Sequence, residues 1–407
     1  MDYKIVYRAF LLVILLLMQK CNSISRKLNT KFLSSDDENC KSQKNTLLHI
    51  NAEGPNDSLH YLWNFIDNPS VLVALTNKSS KLDIKWTVDP FSKLKQTTDC
   101  LPEKISFNDS AIFSYGLSIK KIYEFNDAND NGVINSSSSA NINVLNPSYF
   151  VWYVRNKVIG DETVELEMIG HSYYDEEKNL TRTGSIALLI SVFGELDRFN
   201  KQPFMLHSEN TTQIDLSIDN FETNKTFANS RFAIELLFVS DGEPDIVIPV
   251  NVKRTINDEH TPGIFKLVEI NTPKNENTSM YLQWRPISYM TKERDVTDST
   301  DVVYYPLGKS KDAFDDATNS ILLPYYKENI NKIIARKLNV SFGSNGDGFY
   351  KKTNYTTWTL LLGYSHSLDE RFTSGTIILI SNLIGLPFLL LILYSSIIYI
   401  RKPSVRE

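Results

Sequence analysis

The sequence predicts a mainly β protein: an exported β-sandwich, or two stacked, followed by one C-terminal transmembrane helix. Three observations carry that reading. Residues 374–400 contain no Asp, Glu, Lys or Arg. Residues 9–18 form a shorter apolar run behind Lys4 and Arg8. Between the two lie many short apolar or alternating stretches, separated by Asn, Asp, Gly and Pro.

The C-terminal run is 27 residues long. At ~1.5 Å per residue it exceeds a ~30 Å hydrocarbon core, so it is long enough to span with tilt. Arg401 and Lys402 open the tail, residues 401–407, and the positive-inside bias places that end in the cytoplasm. Inside the span, Ser381 and Gly385 stand four apart, a small-residue pair that lets another helix approach. Asn382 between them either seeks a polar partner in the membrane or snorkels to its surface.

At the other end, residues 1–23 read as a secretory signal peptide: ten apolar residues are too few to span, and Cys21-Asn22-Ser23 supplies small residues for cleavage. A signal anchor is the alternative. With cleavage, the product is a type I protein with a large exported domain.

Residues 24–44 are polar without periodicity and read as a flexible arm. From residue 45 the β pattern begins. Runs rich in Val, Ile, Phe, Tyr and Trp fall at 46–52, 58–65, 71–76, 81–88, 111–125, 150–154, 163–169 and 185–193. They continue at 213–218, 232–239, 246–252, 264–270, 281–289, 338–342 and 356–363. One helix is expected over 323–337, with Ile330, Ile333 and Ile334 on one face. The polar stretch 255–263 suggests a boundary between β-rich regions 45–254 and 255–370.

Without the signal and tail, 37 basic and 46 acidic residues remain, a charge of −9 that argues against nucleic acid or anionic lipid as partner. Of the three cysteines, Cys40 and Cys100 survive signal removal; the exported compartment permits them to form one disulfide. Ten N-x-S/T sequons lie between signal and span: Asn56, Asn77, Asn108, Asn135, Asn179, Asn210, Asn224, Asn277, Asn339 and Asn354. Their even spread predicts a densely N-glycosylated ectodomain.

Chemistry-bearing motifs are scarce. The six histidines show no H-x-H or HExxH spacing, and there is no G-x-S-x-G, P-loop or G-x-G-x-x-G. No catalytic residue, metal ligand or cofactor is therefore expected. Asp258-Glu259-His260 is read as a polar turn before Pro262 and Gly263. Asp127, Asn129, Asn131 and Gly132 match the first half of a calcium loop, with Ile134 apolar as such loops require. Ser138 stands where the bidentate Glu belongs, so a surface loop is the better reading. Asn345-Gly346-Asp347-Gly348 has the residues of a tight hairpin turn.

The chain resembles the glycosylated lysosomal membrane protein family. The similarity rests on residues 47–63, 105–125, 256–267, 283–289, 339–343 and 358–363, including Ile256-Asn257-Asp258-Glu259-His260-Thr261-Pro262-Gly263 and Gln283-Trp284-Arg285-Pro286. The resemblance implies a non-catalytic accessory subunit in the lysosomal membrane. It further implies association with a major-facilitator transporter that exports dipeptides, and shielding of that transporter from lumenal proteases. Asn56 and Asn339 fall within the matched patches. The chain departs from the family in its cysteine positions, so no disulfide carries over. It also lacks a tyrosine sorting signal in the tail, since Tyr394-Ser395-Ser396-Ile397 has the spacing but lies in the apolar run. A cell-surface adhesion or receptor ectodomain is the alternative function, and a membrane-anchored hydrolase the third. Homo-oligomeric state is not encoded in any of these patterns.

Overall fold

A computed structural model describes residues 25–35, 47–88, 100–134, 139–254, 266–273, 278–369 and 374–401. The signal region, Cys40, Asn135, Asn277, the 255–263 stretch and residues 402–407 lie outside them.

The chain begins with an antiparallel meander of β1 (Lys27–Leu33), β2 (Leu47–Glu53), β3 (Asp57–Asn64) and β4 (Ser70–Asn77). A separate hairpin follows, β5 (Leu82–Val88) with β6 (Cys100–Phe107). The long β7 (Phe113–Asn126) rejoins the meander, pairing with β4 through its first half and with β8 (Ile142–Leu145) through its second. A second sheet then forms from β9 (Val151–Ile159), β10 (Thr163–Asp175) and β11 (Leu180–Phe193). After the short ribbon β12 (Asp197–Arg198) and β13 (Leu206–His207), β14 (Thr211–Asp219) adds to β11.

β15 (Ser230–Ser240) returns to the first sheet beside β7. β16 (Val250–Arg254), β17 (Lys266–Asn271), β18 (Met280–Trp284) and β19 (Ile287–Tyr289) belong to the second. β20 (Ser299–Tyr304) is a corner strand, pairing with β19 through Ser299–Asp301 and with the first sheet through Val302–Tyr304. Beyond β21 (Gly308–Lys309) come two one-turn helices, α1 (Ala313–Ala317) and α2 (Leu322–Tyr326). β22 (Ile334–Phe342) pairs with β15, and β23 (Tyr355–Tyr364) enters the second sheet between β14 and β18. Finally α3 runs over Ser374–Arg401.

The two sheets face each other across one continuous core. Leu117, Ile234, Leu236 and Val340 from the first meet Leu188, Ile214, Leu216 and Leu360 from the second. Aromatic pairs cross between the layers, Phe342 with Trp358 at 6.0 Å and Phe65 with Trp152 at 5.7 Å between ring centroids. The layers are joined at β20 along one side. Along the other, Leu28 N–H donates to Asp161 C=O (2.8 Å) and Arg26 N–H to Gly194 C=O (2.7 Å). The result is one large, nearly closed sheet rather than two stacked sandwiches. Strands from both sides of residues 255–263 pair within it, as β15 does with β22 and β14 with β23.

Two expectations need correction. Residues 24–44 are not all loose: 27–33 form β1, with Leu28 in the core and Arg26 buried. Only Leu28 and Phe32 mark its alternation, too little for a local pattern to register. The helix expected at 323–337 is also shorter. α2 stops at Tyr326, a 3-10 turn covers Ile330–Lys332, and Ile334 already begins β22. Ile330 and Ile333 pack under α1 and α2, whereas Ile334 points into the main core, so the three do not share a helical face. Pairing with β15 overrides the helical spacing.

α1, α2 and hairpin β5–β6 cover the outer side of the first sheet. Ala317, Ile321, Leu322, Tyr326 and Ile105 pack there on Leu62, Leu72, Leu237 and Val239. That third layer explains why β4 and β15 are apolar on both faces.

Three histidines are held inside the fold. His49 and His60 stack with centroids 5.2 Å apart, and His60 Nε2 lies 3.0 Å from Thr76 Oγ1. His207 stacks on Phe193. Burial pushes His49 down to about 3, helped by the charges of His60 and Lys31. It pushes His60 and His207 down to about 4. An unfolded chain binds these protons near pH 6.5 and the folded chain does not, so stability falls as pH drops through 6.5. Replacing His207 with Phe removes one such site. In denaturant titrations of the full chain, the variant is expected to lose ~2 kcal/mol less than wild type between pH 6.5 and 5. Identical pH slopes would contradict the assignment.

Candidate functional site

The loop that resembles half a calcium site holds an arginine instead. Asp127 follows β7 and is buried; its Oδ2 accepts from Gly132 N–H (2.8 Å) and from Arg231 Nε (2.6 Å). Arg231, on β15, is 2% exposed and also pairs with Asp130 and, through Nη1, with Asp347 Oδ1 at 2.7 Å. The guanidinium thus takes the place a cation would need. Asp347 belongs to the stretch expected to be a hairpin turn. It is a crossover between sheets, because β22 and β23 pair with different neighbours. Gly346 and Gly348 do take positive φ, 79° and 88°. Gly343 must be glycine: its φ is 104°, and a Cβ would sit 1.9 Å from Arg231 Nη1. Among the described residues no group of three or more His, Cys, Asp or Glu side chains is placed to hold a metal. Cys100 starts β6 opposite Val88.

The described sequons fall into two sets. Asn56, Asn77, Asn108, Asn179 and Asn354 are exposed, at turns or strand ends. At Asn108 the carboxamide oxygen accepts from Lys81 N–H (2.6 Å) and Ser80 Oγ (3.1 Å), which fixes the side chain by its oxygen. Asn210, Asn224 and Asn339 are half-buried. Asn224 Oδ1 accepts from Thr226 N–H and Oγ of its own sequon (3.0 and 2.9 Å). Asn210 Oδ1 accepts from Arg26 Nε at 2.9 Å. Asn339 sits mid-strand in β22, its Oδ1 buried without a hydrogen-bond partner.

α3 is long and apolar enough to cross a membrane over Gly375–Ile398, with mean hydropathy 2.5, and none of that segment is buried by the rest of the chain. Ser381 and Asn382 are exposed and Gly385 half-exposed; the three share one face at helical spacing. A Cβ on Gly385 would meet nothing within 4 Å, so the glycine is not required by contacts within the chain. Pro387 adds a feature that sequence reasoning overlooked. It has no N–H, so the carbonyl four residues earlier, at Leu383, loses its helical donor beside Asn382. An unpaired carbonyl in hydrocarbon favours a polar partner.

Comparison with known proteins gives a consistent answer. The sequence profile of the glycosylated lysosomal membrane protein family matches residues 46–404. Glycosylated lysosomal membrane protein A of Xenopus laevis is 25% identical over 354 residues, covering 85% of this chain and 84% of that one. The Danio rerio protein of the same name is 26% identical over 366 residues, covering 88% and 84%. The Homo sapiens protein is 24% identical over 352 residues, covering 85% and 82%. With one candidate span among the described residues, behind a large β ectodomain, this chain belongs to the glycosylated lysosomal membrane protein family, whose members are named as glycosylated proteins of the lysosomal membrane.

Proposed function

We propose that the chain is a non-catalytic accessory subunit that stabilises a major-facilitator (dipeptide) transporter in the lysosomal membrane and shields it from lumenal proteases. The supporting observation is the polar notch in α3. Ser381, Asn382 and Gly385 share a face beside the carbonyl freed by Pro387, within a segment none of which is buried by the rest of the chain. Such a face gains from a helix that approaches closely and offers a hydrogen-bond partner. The ectodomain suits the protective half of the role. Proteases need extended, mobile backbone, and a compact three-layer β fold with sequons at its turns presents little. None of the relatives' names denotes an enzyme.

Delivery fits the same reading. Tyr394 and Ile397 lie inside α3, where Ser395 and Ser396 hydroxyls donate to the Leu391 and Ile392 carbonyls at 2.8 Å. Unwinding that turn to present it to an adaptor would take Ile397 and Ile398 out of lipid, at ~1.5–3 kcal/mol each. The partner's own sorting signal carries the complex instead.

Replacing both Ser381 and Gly385 with Leu should lower recovery of a co-purifying multi-span transporter in mild detergent. Close packing and one interhelical hydrogen bond are worth ~0.6–2 kcal/mol, or about three- to thirty-fold in association. Undiminished recovery would place the interface in the ectodomain and leave the α3 face without a role.

Glycosylation is tested separately. Enzymatic removal of N-glycans should lower the apparent mass by many kilodaltons, to no more than the 46.6 kDa of the full polypeptide. Single Asn→Gln changes at Asn56, Asn77, Asn108, Asn179 and Asn354 should each remove one step. A chain that migrates at its polypeptide mass before treatment would refute dense glycosylation.

A further inference from the structure

A cleft of about 690 Å³ opens between hairpin β5–β6 and α2, away from the sandwich core. Its lining includes Asp241, just beyond β15, and Ser114 at the start of β7. One carboxylate oxygen of Asp241 is committed: Oδ2 accepts from Ser114 N–H at 2.6 Å and from Ser114 Oγ at 2.9 Å. Tyr326 OH donates in turn to Ser114 Oγ at 2.8 Å, which sets the direction of the serine hydroxyl. Asp241 N–H closes the ring on the Ser114 carbonyl at 2.9 Å. Two hydrogen bonds thus hold Oδ2 and two more fix the groups around it, yet none of the four engages Oδ1.

The surroundings of that carboxyl are aromatic. Phe107 and Tyr325 line the cleft in edge-to-face contact, with centroids 6.3 Å apart. The lysines of the lining are mostly spoken for. Lys85 pairs with Glu103 at 2.7 Å and Lys104 with Glu328 at 3.0 Å. Lys327 and Asp109 are exposed. What remains inside is a partly desolvated carboxylate in a cleft that the Phe107–Tyr325 pair also lines. Burial raises the Asp241 carboxyl above its usual range, an effect the Ser114 hydrogen bonds only partly offset. A desolvated carboxylate without a cation is unfavourable, and aromatic rings reward a cation that neutralises it. A divalent metal would need several more oxygens than one carboxylate supplies. A neutral sugar would leave the charge unmatched.

We propose that this cleft binds a primary ammonium group, with Asp241 Oδ1 accepting its hydrogen bond and the Phe107–Tyr325 pair forming an aromatic wall beside it. The ammonium belongs either to a small free amine or to a lysine side chain of another protein. This site is separate from the α3 face and does not depend on the accessory role.

The test uses the full chain in detergent, at neutral pH in amine-free buffer, with butylamine and 1-butanol as matched probes followed by calorimetry. Butylamine should bind saturably and butanol should not. Asp241→Asn keeps the side-chain shape but loses the charge, and should weaken butylamine at least ten-fold. Tyr325→Leu, on the partly exposed wall, should weaken it several-fold and decides the matter should Asp241→Asn fail to fold. Tighter binding of Nα-acetyl-lysine amide than of butylamine would assign the site to a protein lysine; the reverse order would assign it to a free amine. Absence of butylamine binding, equal binding of butanol, or a folded Asp241→Asn or Tyr325→Leu with undiminished affinity would overturn the proposal.

Discussion

A single buried guanidinium holds the corner of this fold. Arg231 reaches from β15 to Asp127 and Asp130 after β7 and to Asp347 in the crossover between β22 and β23. Asp347 Oδ2 also accepts from Thr300 Oγ of the corner strand at 2.6 Å. Four segments that are distant in sequence thus converge on one charge. Removing a partner from such a site leaves the others buried and uncompensated, a penalty of ~3–5 kcal/mol. The site therefore specifies how the two sheets meet, which hydrophobic burial alone does not determine. The opposite side is closed in the same way on a smaller scale. Arg26 makes two bonds to Asp57 (2.6 and 3.2 Å), one to the Ala52 carbonyl and one to the Asn210 sequon.

Closure at both sides has a functional consequence. A nearly closed sheet exposes few unpaired strand edges, and the edges are where proteases and other chains find extended backbone. Among the described strands, β9 keeps a largely exposed edge, and it carries Arg155 and Lys157 among its apolar residues. Charges of that kind discourage further strand pairing. A fold of this type suits a lumen rich in hydrolases. Its neutral buried histidines are the part of the design that works against acid.

Much of the architecture was legible in the sequence, because alternating apolar runs mark strands wherever one face is buried. Residues 185–193 and 232–239 lie within β11 and β15, and the charge-free run at 374–400 within α3. What failed to show has a common cause: it depends on partners far along the chain. β1 has only Leu28 and Phe32 in alternating register, and it owes its place to β2. Ile334 looks helical until β15 claims it. The Asn345–Gly348 turn has the composition of a hairpin, yet its purpose is to carry Asp347 to an arginine more than a hundred residues away. Asp241 and Ser114 are likewise 127 residues apart. No local spacing announces such pairs, so the buried ionic sites and the cleft were invisible until the fold brought their halves together. The polar notch of α3 was readable because helical spacing alone assembles it, although Pro387 went unremarked.

The proposed protective role is tested most directly by the lifetime of the proposed partner. Pulse-chase of the co-purifying transporter in cells with and without this chain separates shielding from mere association. A protective subunit predicts a half-life that shortens several-fold when the chain is absent and recovers when lysosomal proteases are inhibited. An unchanged half-life, or a loss that protease inhibition does not restore, would contradict that role.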